Sequence, residues 1–160
     1  MEFSIQPILK NDKALLLPLK EGDFENLYHA ASDPLVWEQH PNKSRYQREI
    51  FEIFFKGAME SKGAFLIQDA ASGEIAGSTR YYDYDPLKNI ILIGYTFYAR
   101  KFWGTGINTS VKKTMLDYIF QYVDQVHFHI GANNIRSQTA ITRLGAEKVA
   151  EINVAYYGEP

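Results

Sequence analysis

The sequence predicts a single α/β domain built on one mixed β-sheet. Three observations carry that prediction. Between residues 64 and 98, three strand-like runs are joined by turn residues, which reads as an antiparallel meander. A strand, a glycine turn, an amphipathic helix and another strand follow, and that order requires a right-handed parallel crossover. No repeat or linker divides the 160 residues, so residues 1–160 are expected to share one core.

The elements follow in order. "KALLLPL" (Lys13–Leu19) reads as a strand whose proline marks an edge or an end. "EGDFENLYHAAS" suggests a short helix burying Phe24, Leu27 and Tyr28. "DPLVWEQHPN", interrupted by Pro34 and Pro41, reads as a loop. Ser44 and Gln47 form a capping box for a helix from Arg45 to about Ser61, with Tyr46, Ile50, Ile53, Phe54 and Ala58 as its apolar face. "AFLIQDA" and "EIAGSTRYYDY" are strands joined across Ser72-Gly73. "NIILIGYTFY" has the continuous apolar run of a central strand covered on both faces. After the glycines, Ile107, Val111, Met115, Ile119 and Tyr122 keep helical spacing. "QVHFHIGA" is a strand, Asn133 or Asn134 caps a helix ending at "RLG" with Gly145, and "EKVAEINVAYY" is a last strand.

Composition excludes several functions. The formal net charge of -2 provides no basic field, so nucleic acid is not an expected partner. Without cysteine there is no disulfide, thiolate metal site or cysteine nucleophile. The N-terminus lacks a signal-peptide pattern and no apolar run approaches the ~20 residues of a membrane span, so the expected location is cytoplasmic.

"RKFWGTGINTSVKK" (Arg100–Lys113) is the most informative stretch. A strand ending in Gly-x-Gly and opening into a helix offers unpaired backbone N–H groups at the positive end of the helix dipole, an anion site. Lys101, Lys112 and Lys113 lie near enough in sequence to add charge. The same glycines also suit a plain tight turn. A Walker-type loop needs Lys-Ser/Thr where Ile107-Asn108 stands, and a dinucleotide fingerprint needs a glycine at Thr109. Both fail; a third candidate is the pyrophosphate of coenzyme A.

From "IGYTFYARKFWGTGINTSVKKTML" through "NNIRSQTAITRLGA", the chain resembles the GNAT superfamily of acyl-CoA-dependent N-acetyltransferases. Its nearest likeness is to the ribosomal-protein N-terminal acetyltransferases, and "LLLPLKEGDFENLYHAASDP" is similar to that branch's opening strand and helix. The resemblance implies a twisted, largely antiparallel mixed sheet with helices on both faces, whose fourth and fifth strands splay apart around pantetheine. It also implies acetyl-CoA as co-substrate and no metal. The strand residues Phe97, Tyr98 and Ala99 would then hold pantetheine. Lys101, Phe102, Trp103, Gly104, Thr105 and Gly106, continuing into Ile107 and Asn108, would surround the pyrophosphate. Asn133 and Ser137 match the family's Asn-x-x-Ser near the thiol end. The sequence departs from the family at Lys101 (Arg or Gln), at Ser110 (often Glu) and at Ile141, near which many members carry a tyrosine acid.

Acetyl transfer requires a neutral amine, and hence a base that removes a proton from an ammonium. The catalytic candidates are Ser137 as acid, with Tyr95 and Asp83 as groups able to serve as base; Glu38, His127 and His129 remain alternatives. Leu92 and Ile93 stand where relatives often place a carboxylate. Trp37, Tyr82 and His129 are the candidate acceptor contacts. His127 and His129 alternate onto one strand face without an apparent third ligand, so no metal site is expected. The expected acceptor is a small-molecule amine or a peptide N-terminus, with no membrane partner and homodimerisation left open. A non-catalytic acyl-CoA-binding module on the same fold is the competing reading.

Overall fold

The structure, a computed structural model, describes residues 3–130 and 134–143. The last expected strand, Gly145 and Asn133 lie outside the described residues. Six strands form one sheet in chain order: β1 (Leu9–Lys10), β2 (Ala14–Pro18), β3 (Ala64–Asp69), β4 (Ile75–Asp85), β5 (Ile90–Tyr98) and β6 (Gln125–His127). All neighbours are antiparallel except β5 and β6, which pair parallel across the crossover helix. The fold class expected from the sequence is therefore the one observed. The two-residue β1 had no strand-like pattern to announce it.

Alternation along the strands gives the sheet two apolar faces. On one, Phe65, Ile67, Tyr81, Ile91 and Ile93 pack against Ile107, Val111, Met115 and Ile119 of α3 (Ile107–Ile119). On the other, Ala64, Leu66 and Phe97 pack against α1 (Phe24–Ala31) and α2 (Arg48–Ser61). A fourth helix, α4 (Ile135–Arg143), follows β6. Gly77 is required where β4 meets β5, because a Cβ there would stand 1.9 Å from the Phe97 carbonyl oxygen.

Five expectations need correction. The capping box at Ser44 does not form: residues 43–46 make a turn, and α2 starts at Arg48 with Gln47 as its N-cap, making no side-chain cap bond. Of the expected apolar face Phe54 and Ala58 are buried, but Phe51 and Phe55 complete it, and Ile50 and Ile53 at its edge are only partly buried. Tyr122 lies beyond the end of α3, half-exposed and stacked on Phe3. β6 ends at His127, so residues 128–130 leave the ladder. The proline-bounded segment, expected as a loop, contains a 3-10 turn at Pro34–Trp37 that Asp33 caps through the Leu35 N–H.

Candidate active site

β5 and β6 pair only over Ile90–Leu92 and Gln125–His127. Beyond that point, residues 93–98 face no strand on that side among the described residues. This is the opening expected between the fourth and fifth strands of the sequence reading, which are β5 and β6 here. Just past the last paired residue, β5 is irregular: Tyr95 takes φ 53, and the pairing with β4 shifts between Ser78 and Arg80. An extra residue in a strand reverses which face the following side chains occupy. Ile91 and Ile93 face α3, but Tyr95 and Phe97 face α1 and α2, so Thr96 and Tyr98 turn to the α3 side.

A cleft occupies the opening. Its walls are residues 93–96 of β5, Asn108 and Lys112 of α3, residues 128–130, and Asn134, Ser137 and Ile141 at α4. His40, Pro41 and Arg45, from the segment between α1 and α2, complete the lining. Among the described residues, no aspartate or glutamate lines it. The Asn134 side chain caps α4 by accepting the Ser137 N–H at 3.3 Å, so of the two asparagines considered, Asn134 is the cap.

The glycine turn stands where β5 delivers the chain to α3. Gly104 and Gly106 have φ 72 and 86, backbone conformations that favour glycine. Gly106 is the N-cap of α3, and no atom lies within 4 Å of a Cβ placed on Gly104, so its approach is open. The Thr105 hydroxyl donates to the Phe102 carbonyl at 2.7 Å and accepts the Ile107 N–H at 3.4 Å. Lys101 is paired with Glu74 at 2.7 Å on the exposed β3–β4 hairpin. An exposed pair of this kind holds its lysine weakly.

The strand residues divide by side. Ala99 donates its N–H to Ala76 of β4, which leaves Tyr98 to present its backbone groups to the open edge, since both groups of a strand residue point one way. The Tyr98 carbonyl there accepts the Trp103 indole N–H at 3.0 Å. Phe102 and the Phe97 side chain are core.

Lys112 does not add charge to the glycine turn. It is 3% exposed, and its Nζ lies 2.8 Å from the Thr96 hydroxyl and 3.2 Å from that of Thr79. The two hydroxyls are 2.8 Å apart, so the three groups close a ring. Burial pushes the lysine down to about 7, and no carboxylate offsets it among the described residues. One turn earlier on the same face, Asn108 Oδ1 is buried without a hydrogen-bond partner among the described residues. Sequence reasoning missed the lysine because its i, i+4 relation to Asn108 looks like a solvated face until Thr96 is turned inward.

The remaining candidates separate. Tyr95, His129 and Ser137 line the cleft. The Arg80 guanidinium sits 3.7 Å above the Tyr95 ring and Tyr82 packs against its edge, which fixes the tyrosine. Tyr82 is buried against Gly94 and outside the cleft lining. Asp83 is exposed at the irregular end of β4 and is not part of the lining. Trp37 is fully buried, packs on Phe54 and Phe97, and donates its indole N–H to Ala31 O at 2.8 Å. It is a core residue and is corrected from acceptor contact to support of the cleft lining, where its ring meets His40 edge-on. Among the described residues, no group of three His, Asp or Glu could hold a metal, and no helix is long and apolar enough to cross a membrane.

The family model of the acetyltransferase (GNAT) domain matches residues 13–147. A GCN5-related N-acetyltransferase from Brucella melitensis superposes with TM-score 0.76 at 22% identity, covering 88% of this chain and 67% of that one. A GNAT-family acetyltransferase from Bacillus anthracis gives TM-score 0.73 at 17% identity over 87% and 82% of the two chains. Spermidine N-acetyltransferase from Vibrio cholerae, solved in complex with CoA and spermine, gives 0.67 at 15% over 92% and 89%. No curated protein matches the chain by sequence.

Proposed function

The chain belongs to the acetyltransferase (GNAT) domain family, and from that premise we propose that it transfers an acetyl group from acetyl-CoA to a primary amine by direct attack in a ternary complex. The observation that carries the reading is the open edge of β5, which runs from the cleft to the glycine turn at the start of α3. The N–H groups of Phe102, Trp103 and Ile107 donate within the chain, and those of Gly104, Thr105, Gly106 and Asn108 suit a pyrophosphate at the positive end of the helix. Tyr98 offers its backbone N–H to pantetheine, Phe97 and Ala99 set its register, and Asn133 with Ser137 would stand at the thiol end. The described residues fit the co-substrate, since the glycines leave the approach open and the exposed Lys101 can exchange Glu74 for a phosphate.

Within that assignment, the cleft excludes water from the thioester and strengthens the backbone dipoles around its carbonyl. Ser137 lines the cleft, and in this reading it donates to the departing sulfur, a modest aid for a thiol whose ordinary pKa is about 8.5. Tyr95 and His129 line the wall that an acceptor would meet. The acceptor is a small amine or a peptide N-terminus, the latter being the acceptor class of the branch the sequence resembles. The whole of residues 1–160 serves as one acyltransferase domain.

The lack of a cleft carboxylate among the described residues favours a second reading, an acyl-CoA-binding module without turnover. Calorimetric titration with acetyl-CoA, followed by thiol release against amines, amino acids and N-terminal peptides, separates the two. Saturable binding with turnover supports the enzyme. Binding with silence across the panel supports the module, and no binding removes both.

A further inference from the structure

The buried ring of Lys112, Thr79 and Thr96 has a hydrogen-bond count that depends on the protonation of the lysine. An ammonium has three donors and no acceptor, whereas a neutral amine has two donors and one acceptor. With the amine neutral, each group in the ring donates once and accepts once: Nζ to Thr79, Thr79 to Thr96, and Thr96 back to Nζ. The observed separations of 3.2, 2.8 and 2.8 Å allow this closed circuit. One N–H then remains. With an ammonium, both hydroxyls accept from Nζ, one still donates to the other, and one Thr proton is left outside the ring. The ring geometry and the burial thus both favour an uncharged lysine.

Lys112 lines the cleft, and Asn108, one turn earlier, lines it too with a buried oxygen lacking an N–H donor among the described residues. Resting on the acetyl-transfer reading above, we propose that Lys112 is the catalytic base of this domain, taking a proton from the acceptor's ammonium while Asn108 Oδ1 holds a second N–H of the same group. In the closed circuit the Nζ lone pair accepts the Thr96 hydroxyl, so the ammonium gives its first proton to Thr96 Oγ1 as the Thr96 proton passes to Nζ, and the freed amine attacks the thioester carbonyl. As the new C–N bond forms and the C–S bond breaks, Ser137 gives its hydroxyl proton to the departing sulfur and takes a further proton from the amine, giving the CoA thiol. Nζ then returns a proton through Thr96, which lines the cleft, to solvent, so the cycle releases one proton and resets the ring.

The assignment also selects the acceptor class. A base near neutrality deprotonates an α-amine of ordinary pKa about 8 at a cost of about tenfold, but a lysine-like ammonium at about 10.4 only at a cost above a thousandfold. α-Amino groups are therefore favoured over alkyl amines such as polyamines. The other titratable or charged groups around the cleft are His40 and Arg45 from the segment between α1 and α2, Tyr95 on β5 and His129 after β6. Tyr81 and Tyr98, on the same sheet face as α3, are pushed far up by burial and keep their protons.

The test measures thiol release with acetyl-CoA and α-amine acceptors from pH 5.5 to 9, for the wild type, Lys112→Met and Lys112→Arg. Acetyl-CoA titration establishes that each variant still folds and binds. Both variants are expected to lose about 10²- to 10³-fold in kcat with little change in acetyl-CoA affinity, and to lose the rising limb near neutral pH. The 13Cε resonance of Lys112 in the wild type provides a measurement that needs no variant, and its midpoint should coincide with that limb. An active Lys112→Met with an unshifted profile, a 13Cε midpoint apart from the limb, or acetyl found on Lys112 itself overturns the assignment while leaving acetyl transfer intact. A wild type silent with every acceptor removes both.

Discussion

The buried lysine makes a prediction about stability that is independent of any activity. In the unfolded chain Lys112 titrates at its ordinary 10.5, and in the fold at about 7. A depressed folded value means that between these limits the unfolded state carries about one more proton. Stability contributed through this group therefore rises with pH, by about 1.4 kcal/mol per unit. Below pH 7 the full cost applies, on the order of 5 kcal/mol; by pH 9 about 2 remains. Lys112→Met keeps an unbranched apolar side chain, one atom shorter, and removes the titration. It should therefore exceed the wild type in stability by about 3 kcal/mol more at pH 6 than at pH 9. Urea unfolding of both proteins at four pH values measures the difference, and all other titrations cancel between them. A stability difference that stays flat across that range would refute the reasoning, because it would mean that Lys112 reaches water or a counter-charge in the fold.

Three further outcomes are expected. Gly104→Val should weaken acetyl-CoA binding at least tenfold in calorimetry while costing only about 1–2 kcal/mol of stability, because φ 72 is poor for a β-branched residue but the site around it is open. Trp37→Ala should lower stability by about 3–5 kcal/mol in urea unfolding through a cavity and the loss of the bond to Ala31; if stability is unchanged, the tryptophan is not core. Gly77→Ala should impair folding, seen as loss of the cooperative thermal transition or a large fall in its midpoint, since its Cβ has no room beside the Phe97 carbonyl. A normal melt would place the β4–β5 contact elsewhere.

The sequence by itself determined the element order, the antiparallel meander with its parallel crossover, and the glycine turn at the start of α3. These are local properties: alternation, helical spacing and positive-φ turns act over a few residues, and each can be read where it stands. The tertiary structure decided which side chain meets which. A one-residue irregularity at Tyr95 reverses the facing of β5, and only because of it does Thr96 reach Lys112. No periodicity announces that reversal, because the strand pattern on either side looks continuous. The same limit moved Trp37 from the cleft into the core, where Ala31 satisfies its polar atom. It also decided the buried face of α2, which includes Phe51 and Phe55 beside the expected Phe54 and Ala58, and left its N-cap Gln47 without a side-chain bond. Local spacing states what a segment can bury; what it does bury depends on partners tens of residues away.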